Sequence, residues 1–128
     1  MTNSLQKNQR LKREKQIQYL FHKGKSILVY PVKVQYLFQK PAENQAGNFQ
    51  FGVSVSKRYF KKAVARNLLK RRMREAFRLQ KTGLETALAE SSGNLSIMFI
   101  FVGKEMLEYQ IIKEAINQIL TRLTKKCR

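Results

Sequence analysis

Between positions 57 and 81 the chain carries eleven basic side chains and a single acid: Lys57, Arg58, Lys61, Lys62, Arg66, Lys70, Arg71, Arg72, Arg74, Arg78 and Lys81 against Glu75. Wound as an α-helix at about 100° per residue, this stretch separates two faces. Ala65, Leu68, Leu69, Met73, Ala76 and Phe77 form an apolar arc, and Arg66, Asn67, Lys70, Arg71, Arg74 and Arg78 fall opposite it. Like charges stacked at i, i+4 cost an isolated helix about 0.2–0.5 kcal/mol per pair, so a merely solvated face would intersperse acids. Cations clustered without acids point to phosphate. The planar guanidinium fork grips phosphate oxygens bidentately, and Asn67 among the cations can hydrogen-bond a phosphate or a base edge. Nucleic acid is the expected partner, although the pattern does not separate RNA from DNA. Arg72 alone lands inside the apolar arc and must snorkel or reach a buried acceptor.

The remainder of the chain holds little catalytic hardware. Its 128 residues contain 26 Lys+Arg against 8 Asp+Glu, a formal net charge of +18, and every acid is a glutamate. There is one histidine, His22, and one cysteine, Cys127. A disulfide framework, a Cys/His zinc site, an aspartate-held magnesium site and a Ser-His-Asp triad all lack their residues. His22 reads as a surface or RNA-contact residue, Glu75 as an ion-pair partner for an arginine, and Cys127 as incidental. The composition, 43% hydrophobic with 10% aromatic residues, is enough to build a core. No apolar run is long enough to span a bilayer or serve as a secretion signal, so a cytoplasmic protein is expected. A second class of reading has the basic amphipathic helix bind anionic lipid or an acidic protein. That reading requires its Phe/Met/Leu arc to lie unburied.

The elements that must position the cationic face follow from periodicity. Residues 1–10 read as a flexible basic arm. From Leu11 to Lys23, Ile17, Leu20 and Phe21 recur at helical spacing up to Gly24. Ile27 to Gln39 is strand-like, with Pro31 marking an edge or break, and 40–48 is a turn. Phe49, Phe51, Val53 and Val55 alternate with Gln50, Gly52, Ser54 and Ser56, which predicts a strand with one apolar and one small, polar face. The basic helix spans about Lys62 to Lys81, with a further short helix from Leu84 to Glu90. Leu95 to Val102 reads as a central strand covered on both faces. From Glu105 to Thr124, Ile112, Ala115, Ile116, Ile119, Leu120 and Leu123 make one packed stripe. The order α-β-β-α-β-α implies a single domain, an α/β or α+β sandwich with helices on a small sheet.

Two linked motifs resemble a known family. Phe51-Gly52-Val53-Ser54-Val55-Ser56-Lys57-Arg58, followed by Ala63-Val64-Ala65-Arg66-Asn67-Leu68-Leu69-Lys70-Arg71-Arg72-Met73-Arg74-Glu75-Ala76-Phe77-Arg78, is similar to the signature of the bacterial ribonuclease P protein component. Two features depart from it. Leu68 stands where the family has an arginine, and the link Tyr59-Phe60-Lys61-Lys62 is longer and lacks a glycine. The resemblance implies a two-layer sandwich of the ribosomal-protein-S5-domain-2-like type, ordered α-β-β-β-α-β-α, with a left-handed βαβ crossover. It implies an RNA-binding subunit of a ribonucleoprotein that removes the 5′ leader from precursor tRNA, with Mg2+ held mainly by the catalytic RNA and no catalytic or metal-binding protein residue. The implied RNA contacts are Lys57, Arg58, Arg66, Asn67, Lys70, Arg71, Arg74 and Arg78. The implied leader cleft is lined by Ile17, Phe21, Lys33, Gln35, Ser54 and Ser56. Its partners would be the ribonuclease P RNA and precursor tRNA, with no membrane and no small-molecule substrate. A generic RNA-binding or ribosomal protein of similar build is the alternative.

Overall fold

The computed structural model describes residues 14–39, 49–91 and 93–127. The expected basic arm, Leu11–Arg13 and the 40–48 turn lie outside the described residues. In chain order the elements are α1 (Glu14–Lys23), β1 (Lys25–Val29), β2 (Val32–Gln39), β3 (Phe49–Val55), α2 (Ala63–Gln80), α3 (Thr82–Ser91), β4 (Asn94–Phe101) and α4 (Tyr109–Lys126). The strand read from Ile27 to Gln39 is a hairpin instead. Val29 pairs with Val32, and Tyr30-Pro31, joined by a cis peptide, makes the two-residue turn between them. The core-facing positions are odd before the turn (Ile27, Val29) and even after it (Val32, Val34, Tyr36), so the alternation changes phase at the break that Pro31 marks.

The sheet has the order β1-β2-β4-β3. β2 is antiparallel to both β1 and β4, whereas β3 and β4 are parallel. Parallel neighbours need a crossover, and α2 with α3 supplies it. One sheet face, carrying Val34, Tyr36, Phe49, Phe51, Leu95, Ile97, Phe99 and Phe101, is buried in a core shared with α2, α3 and α4. Tyr36 belongs to this core, as its parity predicts. Four phenylalanines tie the sheet to α2: the Phe77 ring stacks on Phe51 at 4.3 Å and meets Phe49 at 5.3 Å and Phe99 at 5.5 Å edge-on or tilted. α4 buries all six residues of its predicted stripe. Cys127, read as incidental, closes α4 and packs partly against the core.

The opposite face is only partly covered. There Leu20 of α1 and Met98 of β4 form a small cluster with Ile17, Leu37 and Ile100. Gly24 sets how closely α1 approaches. Its N–H donates to Leu20 O at 2.8 Å, and a Cβ at this position would sit 2.4 Å from that oxygen and 2.7 Å from Tyr36 O. Both obstacles are backbone, so a side chain must push α1 away from β2. Gly24→Ala is expected to cost about 1–3 kcal/mol, as overpacking does, and to expose Leu20. Chemical denaturation and amide exchange in α1 measure it; an unchanged midpoint with unchanged exchange would contradict the close contact.

Candidate nucleic-acid interface

α2 runs unbroken for 18 residues, about 27 Å at the α-helical rise. Leu69, Met73, Ala76 and Phe77 are buried against the sheet, so the arc that a lipid-binding helix would need is consumed by folding. Asn67, Arg71 and Arg74 are exposed along the outer stripe, with Lys70 and Arg78 half-buried beside them. Lys57 and Arg58, in the loop that leads from β3 into α2, are exposed too. The helix begins at Lys62 without a side-chain cap and has no acid in its first turn. Helix N-termini ordinarily attract acids because the aligned peptide dipoles leave positive charge there.

The structure sorts the cations of this stretch by what holds them. Arg72 reaches Leu107 O with Nη1 at 2.6 Å, the backbone acceptor that its position in the apolar arc requires. Lys81 is buried against Glu85, with its Nζ 3.1 Å from the carboxylate and 5.7 Å from the Phe49 ring. Arg78 pairs with Glu75 through both Nε and Nη2. The hydrogen bond from Arg78 holds the Glu75 carboxyl below its ordinary pKa, and the Arg78 guanidinium is raised in return. The acid of the stretch is thus absorbed within one turn.

Arg66 has a role that the helical projection does not disclose. Its Nη1 donates to Phe60 O at 2.7 Å and to Lys61 O at 2.8 Å, pinning the loop before α2 to the helix. Arg66→Ala is expected to lower stability by about 1–3 kcal/mol, since two carbonyls lose a charged donor. Lys70→Ala should leave it nearly unchanged. Equal thermal midpoints for the two variants would rule out the clamp.

The expected leader cleft is partly assembled. Pairing aligns Leu28, Lys33, Ile100 and Ser54 in one row across the open sheet face, and Ser26, Gln35, Met98 and Gly52 in the next. Lys33, Gln35 and Ser54 therefore share one sheet face onto which Ile17 packs from α1, but Gln35 is buried there while Lys33 and Ser54 are half-buried. Phe21 is exposed. Ser56 lies past the end of β3, where its Oγ accepts the Arg58 N–H at 3.1 Å. A third row, Leu37, Ser96 and Gln50, lies beyond the residues expected from the sequence. A cavity of about 290 Å3 opens there, lined also by Lys15, Tyr19, Leu20 and Gln39. Only strand register brings these residues together. Among the described residues no group of three His, Cys, Asp or Glu side chains could hold a metal ion. No helix there is long and apolar enough to cross a membrane.

Comparison with known proteins agrees with the fold. The ribonuclease P family matches residues 5–125. The chain is 35% identical over 122 residues to the ribonuclease P protein component of Porphyromonas gingivalis, spanning 95% of this chain and 88% of that one. It is 33% identical to that of Chlorobium phaeobacteroides, covering 92% and 86% of the two chains. The solved structure of the RNase P protein from Thermotoga maritima superposes with a TM-score of 0.66 at 26% identity, over 88% of this chain and 96% of that one. With a family match over nearly its whole length and a relative at 35% identity, this chain belongs to the ribonuclease P protein family.

Proposed function

We propose that the chain, as the protein subunit of ribonuclease P, binds the catalytic RNA and the 5′ leader of precursor tRNA and assists removal of that leader by RNA-catalysed phosphodiester hydrolysis. The observation that carries this reading is the α2 stripe of Asn67, Lys70, Arg71 and Arg74, continued by Lys57 and Arg58, whose neighbouring acid Glu75 is already taken by Arg78. The stripe docks on RNA phosphates. The open sheet face, reached from the same loop through the end of β3, holds the single-stranded leader. A strand needs an apolar or aromatic surface for its bases and cations for its backbone, and Ile17, Leu37, Tyr19, Lys15 and Lys33 offer both. The magnesium ions belong to the RNA in this reading, and no protein side chain acts on the scissile bond. A cytoplasmic location goes with it.

The chemical contribution of the protein is electrostatic. Leader and catalytic RNA are both polyanions, and a subunit of net charge +18 lowers the work of bringing them together. Its benefit is therefore greatest where counterions are scarce. Purified protein added to a bacterial ribonuclease P RNA at low magnesium is expected to accelerate precursor-tRNA cleavage. Tight RNA binding without acceleration would instead identify a generic RNA-binding protein, and no RNA binding would sink both readings.

A further inference from the structure

Tyr59 is 42% exposed and takes no part in the core, yet the loop that carries it is held at several points. Its neighbour Phe60 is buried, with its ring 5.8 Å from Phe101. Phe60 N–H donates to Ser56 O at 3.3 Å, and Arg58 N–H donates to Ser56 Oγ at 3.1 Å. The Arg66 clamp fixes the two carbonyls that follow Tyr59. An aromatic ring is thus presented outward on a preorganised loop.

Two cations from separate segments flank that ring. The Arg58 guanidinium carbon and the Lys104 Nζ each lie 5.5 Å from its centroid. Lys104 comes from the segment between β4 and α4, so the two loops meet where the parallel strands β3 and β4 end. Neither cation makes an ion pair among the described residues. A part-exposed aromatic ring with two cations beside it matches a nucleobase and its neighbouring phosphates.

We propose that Tyr59 is a stacking platform for an unpaired RNA base, with Arg58 and Lys104 engaging the adjoining phosphates. The proposal rests on the subunit reading above and extends it to a residue in the link where this chain departs from the family signature. The unpaired base can come from the catalytic RNA or from precursor tRNA, and separate binding measurements distinguish them. Affinities of wild type, Tyr59→Ala, Tyr59→Phe and Lys104→Ala are measured for ribonuclease P RNA, precursor tRNA and leaderless tRNA across a salt series.

Tyr59→Ala is expected to weaken binding of one of these RNAs roughly tenfold, as loss of one stacked base does. Tyr59→Phe should stay within about twofold, and Tyr59→Ala should leave the salt slope alone, because stacking releases no counterions. Lys104→Ala should reduce that slope by about 1. Wild-type affinity of Tyr59→Ala for all three RNAs would overturn the platform, as would equal losses for the alanine and phenylalanine variants. A lowered thermal midpoint with unchanged affinity would give Tyr59 only a loop-ordering role and overturn it too. If wild type bound none of these RNAs, the subunit reading itself would fail.

Discussion

Replacing Phe77 with alanine is expected to lower stability by about 3–5 kcal/mol. The ring is fully buried and touches Phe49, Phe51 and Phe99, so its removal leaves a cavity walled by three other rings. Those rings sit on paired strands and cannot collapse into the space without breaking sheet register. For a domain of this size the loss corresponds to a fall of about 10–20 °C in the thermal midpoint. It is a large share of a total stability expected to be about 6–19 kcal/mol. Calorimetry checks it. A loss of under about 1 kcal/mol would mean that the joint between sheet and α2 is carried by other contacts. Because α2 bears the cationic stripe proposed to face RNA, Phe77→Ala should also weaken RNA binding near the new midpoint and recover when cooled, which separates folding from contact.

Raising monovalent salt from about 50 to 200 mM is expected to weaken binding to the catalytic RNA by roughly 250–1000-fold. The figure follows from about six engaged phosphates, each contributing 0.7–0.9 to the slope of log affinity against log salt, for a slope of about −4 to −5. The structure sorts which cations are available for the proposed contacts. Arg66 spends donors on the loop carbonyls and Arg78 is paired with Glu75, whereas Lys57, Arg58 and Arg71 are exposed. Replacing Lys70 and Arg71 together with alanine should reduce the slope by about 2 with little change in thermal midpoint, since neither anchors a described contact. Filter binding across a salt series measures both quantities. A slope near zero for wild type would refute the electrostatic docking model.

The sequence by itself determined every element long enough to show its period. The α2 and α4 stripes, the β3 alternation and the apolar β4 each report burial through a repeat that is local, because a helix or strand returns a side chain to the same face at a spacing set by its backbone. The acid-free cationic face and the need of Arg72 for an acceptor are legible for the same reason. The order of elements and the family's two linked motifs are also local in sequence, and they were enough to name the lineage.

The tertiary structure decided what depends on residues distant in the chain. The hairpin at Tyr30-Pro31 shows in the sequence only as a change of phase, from Ile27 and Val29 to Val32, Val34 and Tyr36, and only strand pairing turns that break into a reversal. The row of Leu37, Ser96 and Gln50 beneath Tyr19 exists only once strand register and the approach of α1 at Gly24 are set. The division of the cations into clamp, ion pair and exposed stripe is likewise non-local. Arg66 and Arg71 look alike on a helical projection, and only the path of the preceding loop puts two carbonyl oxygens within reach of one of them. Charge is a property of the residue, but whether its donors point inward or outward is a property of the fold.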